Sequence, residues 1–81
     1  MKISVDEQKF KSIFSKNLRK YRKEKKYTQY EIANMLYINR TTYTKWETGS
    51  CFPNPIYLFK LSKILEISTT EFFNGIECEW G

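Results

Sequence analysis

Apolar residues at Phe10, Ile13, Phe14, Leu18 and Tyr21 recur at intervals of three and four, the spacing of one helical face. They predict an amphipathic helix over residues 6–25, with Lys9, Lys11, Lys16, Arg19, Lys20 and Lys23 on its other faces. A second run, Ile32, Met35 and Leu36, follows Thr28 and Glu31. Thr28 and Glu31 are spaced as a capping box, so the helix is expected over 28–36, with Ala33 small enough for a neighbouring helix to approach. "YIN" makes a tight turn. Asn39 then caps a helix that ends at Gly49 and carries Tyr43 and Trp46 on its inner face. After the loop "SCFPN", Asn54 caps a fourth helix with Pro55 at its first position, where a missing N–H costs nothing. Leu58, Leu61 and Leu65 face inward there. "STTE" repeats the capping-box pattern at Ser68 and Glu71 and opens a short fifth helix with Phe72 and Phe73. At the ends, Ile3 and Val5, and Ile76, Cys78 and Trp80, alternate with polar residues, which is a strand signal. The two ends either pair as a small ribbon, within one chain or between two, or remain frayed tails.

The expected architecture is therefore all-α, with a core over 10–73 and tails at 1–5 and 75–81. Eighty-one residues make one small domain, near the size where a single core becomes marginal. The net charge of +5 is unevenly placed. Nine Lys or Arg and one acid fall between Lys9 and Lys26, whereas four acids and no base lie from Glu66 onward. A basic block suits a polyanion. Histidine is absent, and Cys51 and Cys78 have no metal-ligand spacing, so no metal site or cofactor is implied. With no nucleophile–base pair either, an enzyme is not expected. No apolar stretch has membrane-spanning length, and the first residues lack an apolar signal core. A cytoplasmic, nucleoid-associated protein with reduced thiols is expected, without membrane contact. The sequence implies no small-molecule ligand.

The third helix is the odd one. Thr41, Thr42 and Thr44 are weak helix formers, yet both helix boundaries are well marked. Local preference tends to be set aside where a site is built. Two short helices joined by a tight turn form a helix-turn-helix, whose second helix can enter the major groove of DNA. On this reading the polar residues Asn39, Arg40, Thr41, Thr42, Thr44 and Lys45 are there to bond DNA.

The segments "LRKYRKEKKYTQYEIANML", "INRTTYTKWETGSCFP" and "LFKLSKILEISTTEFF" resemble the lambda-repressor-like, Cro-type helix-turn-helix regulators. The match rests on Arg22, Thr28-Gln29, Glu31, Ala33, Glu47, Gly49 and Pro53. The resemblance implies a five-helix fold and a transcriptional regulator, expected to be a repressor, bound as a homodimer to two-fold sites on double-stranded DNA. It implies base contacts from Arg40, Thr41 and Lys45, with Asn39 and Thr44 at the margin. Gln29 would bond a phosphate and pack against the third helix. Thr42 would touch the DNA backbone or help start its helix. Thr48 and Ser50 would meet phosphate from the loop. Arg22 and Glu47 stand at positions used for an ion pair, Tyr43 and Trp46 at buried ones. Candidate dimer surfaces are those around Ile56, Tyr57 and Ile64, the last helix, or the "GIECEW" tail.

Three positions depart from the family pattern. Glycine is frequent where this chain has Lys26, Tyr37 and Glu66. A positive φ at any of them costs about 1 kcal/mol or more; otherwise the turns are adjusted. The competing reading is an antitoxin-like or other protein-interaction module, which the acidic, aromatic tail with Glu77, Glu79 and Trp80 would serve. Gel filtration with a native partner discriminates the two.

Overall fold

The computed structural model describes residues 2–76 and the backbone of 79–80. The order is β1 (Ile3–Ser4), α1 (Glu7–Glu24), α2 (Gln29–Met35), α3 (Arg40–Thr48), α4 (Pro55–Leu65), a 3₁₀ helix (Thr69–Phe73) and β2 (Glu79–Trp80). Four α-helices are present among the described residues, not five. The fifth expected segment winds as 3₁₀, with Glu71 N–H on the Ser68 carbonyl and Asn74 N–H on that of Glu71. Its five residues include two threonines and two phenylalanines, all weak helix formers, and such short segments favour i→i+3 bonds. The capping box expected at Ser68 is not made either. Ser68 accepts from Thr70 N–H, and the Glu71 carboxylate instead accepts the Tyr21 hydroxyl at 2.7 Å.

The other caps follow the sequence signals. Thr28 and Glu31 exchange both bonds of their box. Asn39 accepts from Thr42 N–H at 2.8 Å, and Asn54 accepts from Tyr57 N–H at 3.0 Å. The ends pair as a ribbon within one chain, antiparallel, with Ile3 opposite Trp80 and Ser4 opposite Glu79. Glu77 and Cys78 lie outside the described residues, as do the side chains of Glu79 and Trp80, so the tail surface falls there too.

The core gathers Phe14 and Leu18 from α1, Ile32, Ala33 and Leu36 from α2 and its end, and Tyr43 and Trp46 from α3. Leu61 and Leu65 of α4 and Phe72 complete it. Met35, expected inside, is 42% exposed. It is the last residue of α2, and Leu36 with the half-buried Ile38 takes the inward positions. Helix α1 packs on α3 and on the 3₁₀ helix, while α2 packs on α3. Asn17 ties α1 to the chain's end by donating to the carbonyls of Phe72 (2.8 Å) and Asn74 (3.0 Å).

Three helices stop in the same way. After α1, Tyr27 N–H reaches the Arg22 carbonyl and Lys26 N–H that of Lys23. After α2, Ile38 reaches Ala33 and Tyr37 reaches Asn34. After α4, Ile67 reaches Ser62 and Glu66 reaches Lys63. This is the Schellman arrangement, which needs a left-handed residue after the helix. That residue is Lys26 (φ 63°), Tyr37 (φ 56°) or Glu66 (φ 56°). The turns keep the backbone that glycine favours, although the side chains here oppose it. Lys25 and Glu66, one in each of two such endings, form an exposed ion pair.

Candidate nucleic-acid interface

Helix α3 is divided by its register. Tyr43, Trp46 and Glu47 are buried. Arg40, Thr41, Lys45 and Thr48 are exposed on the far side, with Thr42 and Thr44 half-buried at the margins. Among the described residues, no hydrogen bond engages the side chains of Arg40, Thr41 or Lys45. The three threonines are tolerated because tertiary contacts, rather than propensity, hold the helix.

The tail of α3 is held by α1. Ser15, buried, has its hydroxyl 2.9 Å from the Trp46 carbonyl and 2.7 Å from that of Lys11. Arg19 donates to the Glu47 carbonyl. Helix-end carbonyls lack partners within the helix, so these bonds fill a need. Gly49 turns left-handed (φ 83°), and a Cβ there would stand 3.3 Å from Ser15 Oγ.

Beneath α3 lies an ion pair. Arg22 donates through Nε to Glu47 Oε2 at 2.6 Å and through Nη2 to Oε1 at 3.1 Å. Its Nη1 donates to the Tyr27 carbonyl at 3.0 Å. Two parallel bonds between guanidinium and carboxylate are the strong form of such a contact. The Glu47 side chain is 1% exposed. Burial works to raise its pKa, but hydrogen bonds from Arg22 and Gln29 and the neighbouring Tyr43 hydroxyl outweigh that and hold it below the ordinary carboxylate value. The same contact raises the pKa of Arg22. Tyr43 Oη is buried without a partner of hydrogen-bonding geometry. Burial first, then the nearby Glu47 carboxylate, push its pKa up, so the hydroxyl stays protonated.

Gln29 joins this pair to the exposed face. Its Nε2 donates to Glu47 Oε1 at 3.0 Å, and its Oε1 accepts the Thr44 hydroxyl at 3.1 Å. Thr42 donates both its N–H and its hydroxyl to Asn39 Oδ1, so both residues help start α3. Thr48 and Ser50 sit side by side at the tail, their hydroxyls 3.1 Å apart. An open groove at the head of α3 is lined by Arg22, Thr28, Gln29, Tyr30 and Arg40. Another, at its tail, is lined by Lys11, Ser12, Ser15, Arg19 and Thr48.

Periodicity places Arg19 only among the bases on the other faces of α1 and does not single out Ser15. Their signal was available: Ser15, Arg19 and Arg22 are spaced four and three apart and so share one face of α1.

A family model described as a helix-turn-helix domain matches residues 15–77. The chain belongs to the lambda-repressor-like, Cro-type helix-turn-helix family. It is 43% identical over 63 residues to YqaE of Bacillus subtilis, an uncharacterised HTH-type transcriptional regulator, covering 78% of this chain and 54% of that one. It is 36% identical over 64 residues to the HTH-type transcriptional activator BcrR of Enterococcus faecalis, covering 79% of this chain and 31% of that one. The chain thus spans about half or less of each. Among solved structures, the SOS-response transcriptional repressor LexA of Eubacterium rectale superposes with a TM-score of 0.76 at 29% identity, over 82% of this chain and 70% of that one. The restriction-modification controller protein C.AhdI of Aeromonas hydrophila gives 0.72 at 25% identity, over 78% and 96%. No helix of the described residues is long and apolar enough to cross a membrane.

Proposed function

We propose that the protein regulates transcription, as a repressor, by binding double-stranded DNA at specific sequences with α3 in the major groove. The observation that carries this reading is the division of α3: its inner face is fixed in the core, while Arg40, Thr41 and Lys45 stand exposed and unbonded. An α-helix with its side chains is about 10–12 Å across, and the major groove is about 12 Å wide. Arg40 and Lys45 suit guanine O6 and N7, and Thr41 suits a thymine methyl. Asn39, whose Oδ1 is taken by the cap, keeps its amide N–H groups for the groove edge. Thr44 stands at the other margin.

Phosphate contacts fall on both sides. At the head of α3, Gln29 keeps one amide N–H beyond the one given to Glu47, and Thr42 sits at the first turn. At the tail, Thr48 and Ser50 are exposed. Helix heads and hydroxyls are common phosphate partners, and the net charge of +5 favours the encounter. One reading helix spans few base pairs, so specificity favours a homodimer on a two-fold site with half-sites about 34 Å apart. Ile56 (65% exposed) and Phe59 (57% exposed), three apart on α4, offer an apolar surface for it. Residues 1–81 act as one DNA-binding domain in the cytoplasm, at the nucleoid.

The test is selection of bound fragments from a random duplex pool, repeated with Arg40→Ala and Lys45→Ala. Each variant is expected to lose preference at its own base pairs, by about 1–3 kcal/mol. Unchanged affinity and preference in both would refute the assignment.

A further inference from the structure

The donors and acceptors beneath α3 fix the direction of one hydroxyl on its margin. A carboxylate can only accept hydrogen bonds. Glu47 is therefore faced by the nitrogen of the Gln29 amide, not its oxygen, at 3.0 Å. The two-pronged contact with Arg22 keeps Glu47 in place. With Nε2 committed to Glu47, Gln29 Oε1 is turned toward Thr44, whose hydroxyl lies 3.1 Å away. An amide oxygen has no proton to give, so the single Thr44 proton points inward. The lone pairs of Thr44 Oγ1 are what remain for an outside partner.

We propose that the Arg22–Glu47–Gln29 chain makes Thr44 an acceptor-only reader that selects a base bearing an exocyclic amino group. In the major groove those donors are adenine N6 and cytosine N4, whereas guanine O6 and N7 and thymine O4 only accept. Opposite guanine or thymine, two acceptors would meet unless Thr44 gave up its bond to Gln29. Gln29 is then a positioning residue: it sets the sense of a contact it does not itself make. This rests on the DNA-reading role of α3 proposed above, and adds a base class at one position.

The experiment is the same duplex selection with four variants. Thr44→Val keeps the shape and removes the hydroxyl. It is expected to lower the preference for adenine or cytosine over guanine or thymine at one position of one strand by roughly fivefold to tenfold. Thr44→Ser, which restores the hydroxyl, is expected to recover it. Gln29→Met removes the partner together with one phosphate contact, so it is expected to bind every sequence more weakly and also to relax the same base pair, while the relative preference at those dependent on Arg40 and Lys45 stays. That retained selection also shows that the variant is folded and docked. The double variant Thr44→Val with Gln29→Met is expected to match Thr44→Val at that base pair. The inference is overturned if Thr44→Val changes no position, or if Gln29→Met weakens all sequences equally and leaves the Thr44-dependent base pair intact. A wild-type protein with no preference anywhere would sink the broader reading as well.

Discussion

Replacing Tyr37 by glycine is expected to stabilise the protein. Tyr37 is left-handed (φ 56°), is 95% exposed, and its side chain makes no hydrogen bond among the described residues. Only its backbone is used, in the turn that ends α2. A left-handed residue with a Cβ costs about 1–2 kcal/mol. Glycine removes that strain but loosens the unfolded chain, by about 0.4–1 kcal/mol. The difference leaves a gain of roughly 0.8 kcal/mol, or about 3–6 °C in melting temperature for a chain of this size. The assay is a thermal melt followed by circular dichroism, with Tyr37→Ala as control. Alanine also lacks the ring but keeps a Cβ, so it should show no comparable gain. The reasoning is refuted if glycine melts at or below wild type, or if alanine gains as much. Lys26→Gly should behave like Tyr37→Gly. Glu66→Gly should gain less, because it also loses the Lys25 contact.

Glu47→Gln should destabilise by about 3–5 kcal/mol, read from urea titrations, because it leaves Arg22 charged and uncompensated. In the wild type, the folded Glu47 pKa lies below the ordinary 4.5. Its contribution is therefore whole above that value and is lost as pH falls from there through the folded pKa; unfolding curves between pH 7 and pH 3 should show the loss, reduced in Glu47→Gln. Ile56→Asp together with Phe59→Asp should leave the melting temperature nearly unchanged and reduce self-association in sedimentation velocity, together with affinity for a two-fold site. An unchanged sedimentation profile would remove α4 from the dimer surface.

Much of the fold could be read along the chain because its signals are local. Asn39, Asn54 and the Thr28–Glu31 box fix helix starts within a few residues, and the three- and four-residue apolar spacing of α1 and α4 names Phe14, Leu18, Leu61 and Leu65, four of the ten core residues. The 3₁₀ segment was less legible. Its Ser68–Glu71 spacing imitates a capping box, but the Glu71 carboxylate is drawn away by Tyr21, fifty residues earlier in the chain. The three left-handed endings were ambiguous for a related reason. Side-chain preference opposed a positive φ at Lys26, Tyr37 and Glu66, while the two backbone bonds that close each ending depend on it. At the candidate interface, periodicity separated Tyr43 and Trp46 from the polar face of α3. It could not bring Arg22 beside Glu47, or place Gln29 between Glu47 and Thr44, because those contacts span 25, 18 and 15 positions. Only the family's array of residues put Arg22 and Glu47 together beforehand. The anchoring of the α3 tail by Ser15 and Arg19 had no comparable pointer beyond their shared face.

That anchoring also bears on how such a protein can diverge. Ser15 and Arg19 grip α3 through its carbonyl groups, which any residue supplies, and the core grips it through Tyr43 and Trp46. Among the described residues, the side chains of Arg40, Thr41 and Lys45 contribute no hydrogen bond on which folding relies. On the proposed reading of α3, drift at these three sites would give the scaffold a new genomic address while the architecture persists. Thr44 differs: its hydroxyl is bonded to Gln29 on α2, so on the same reading a change there would call for a matching change in its partner.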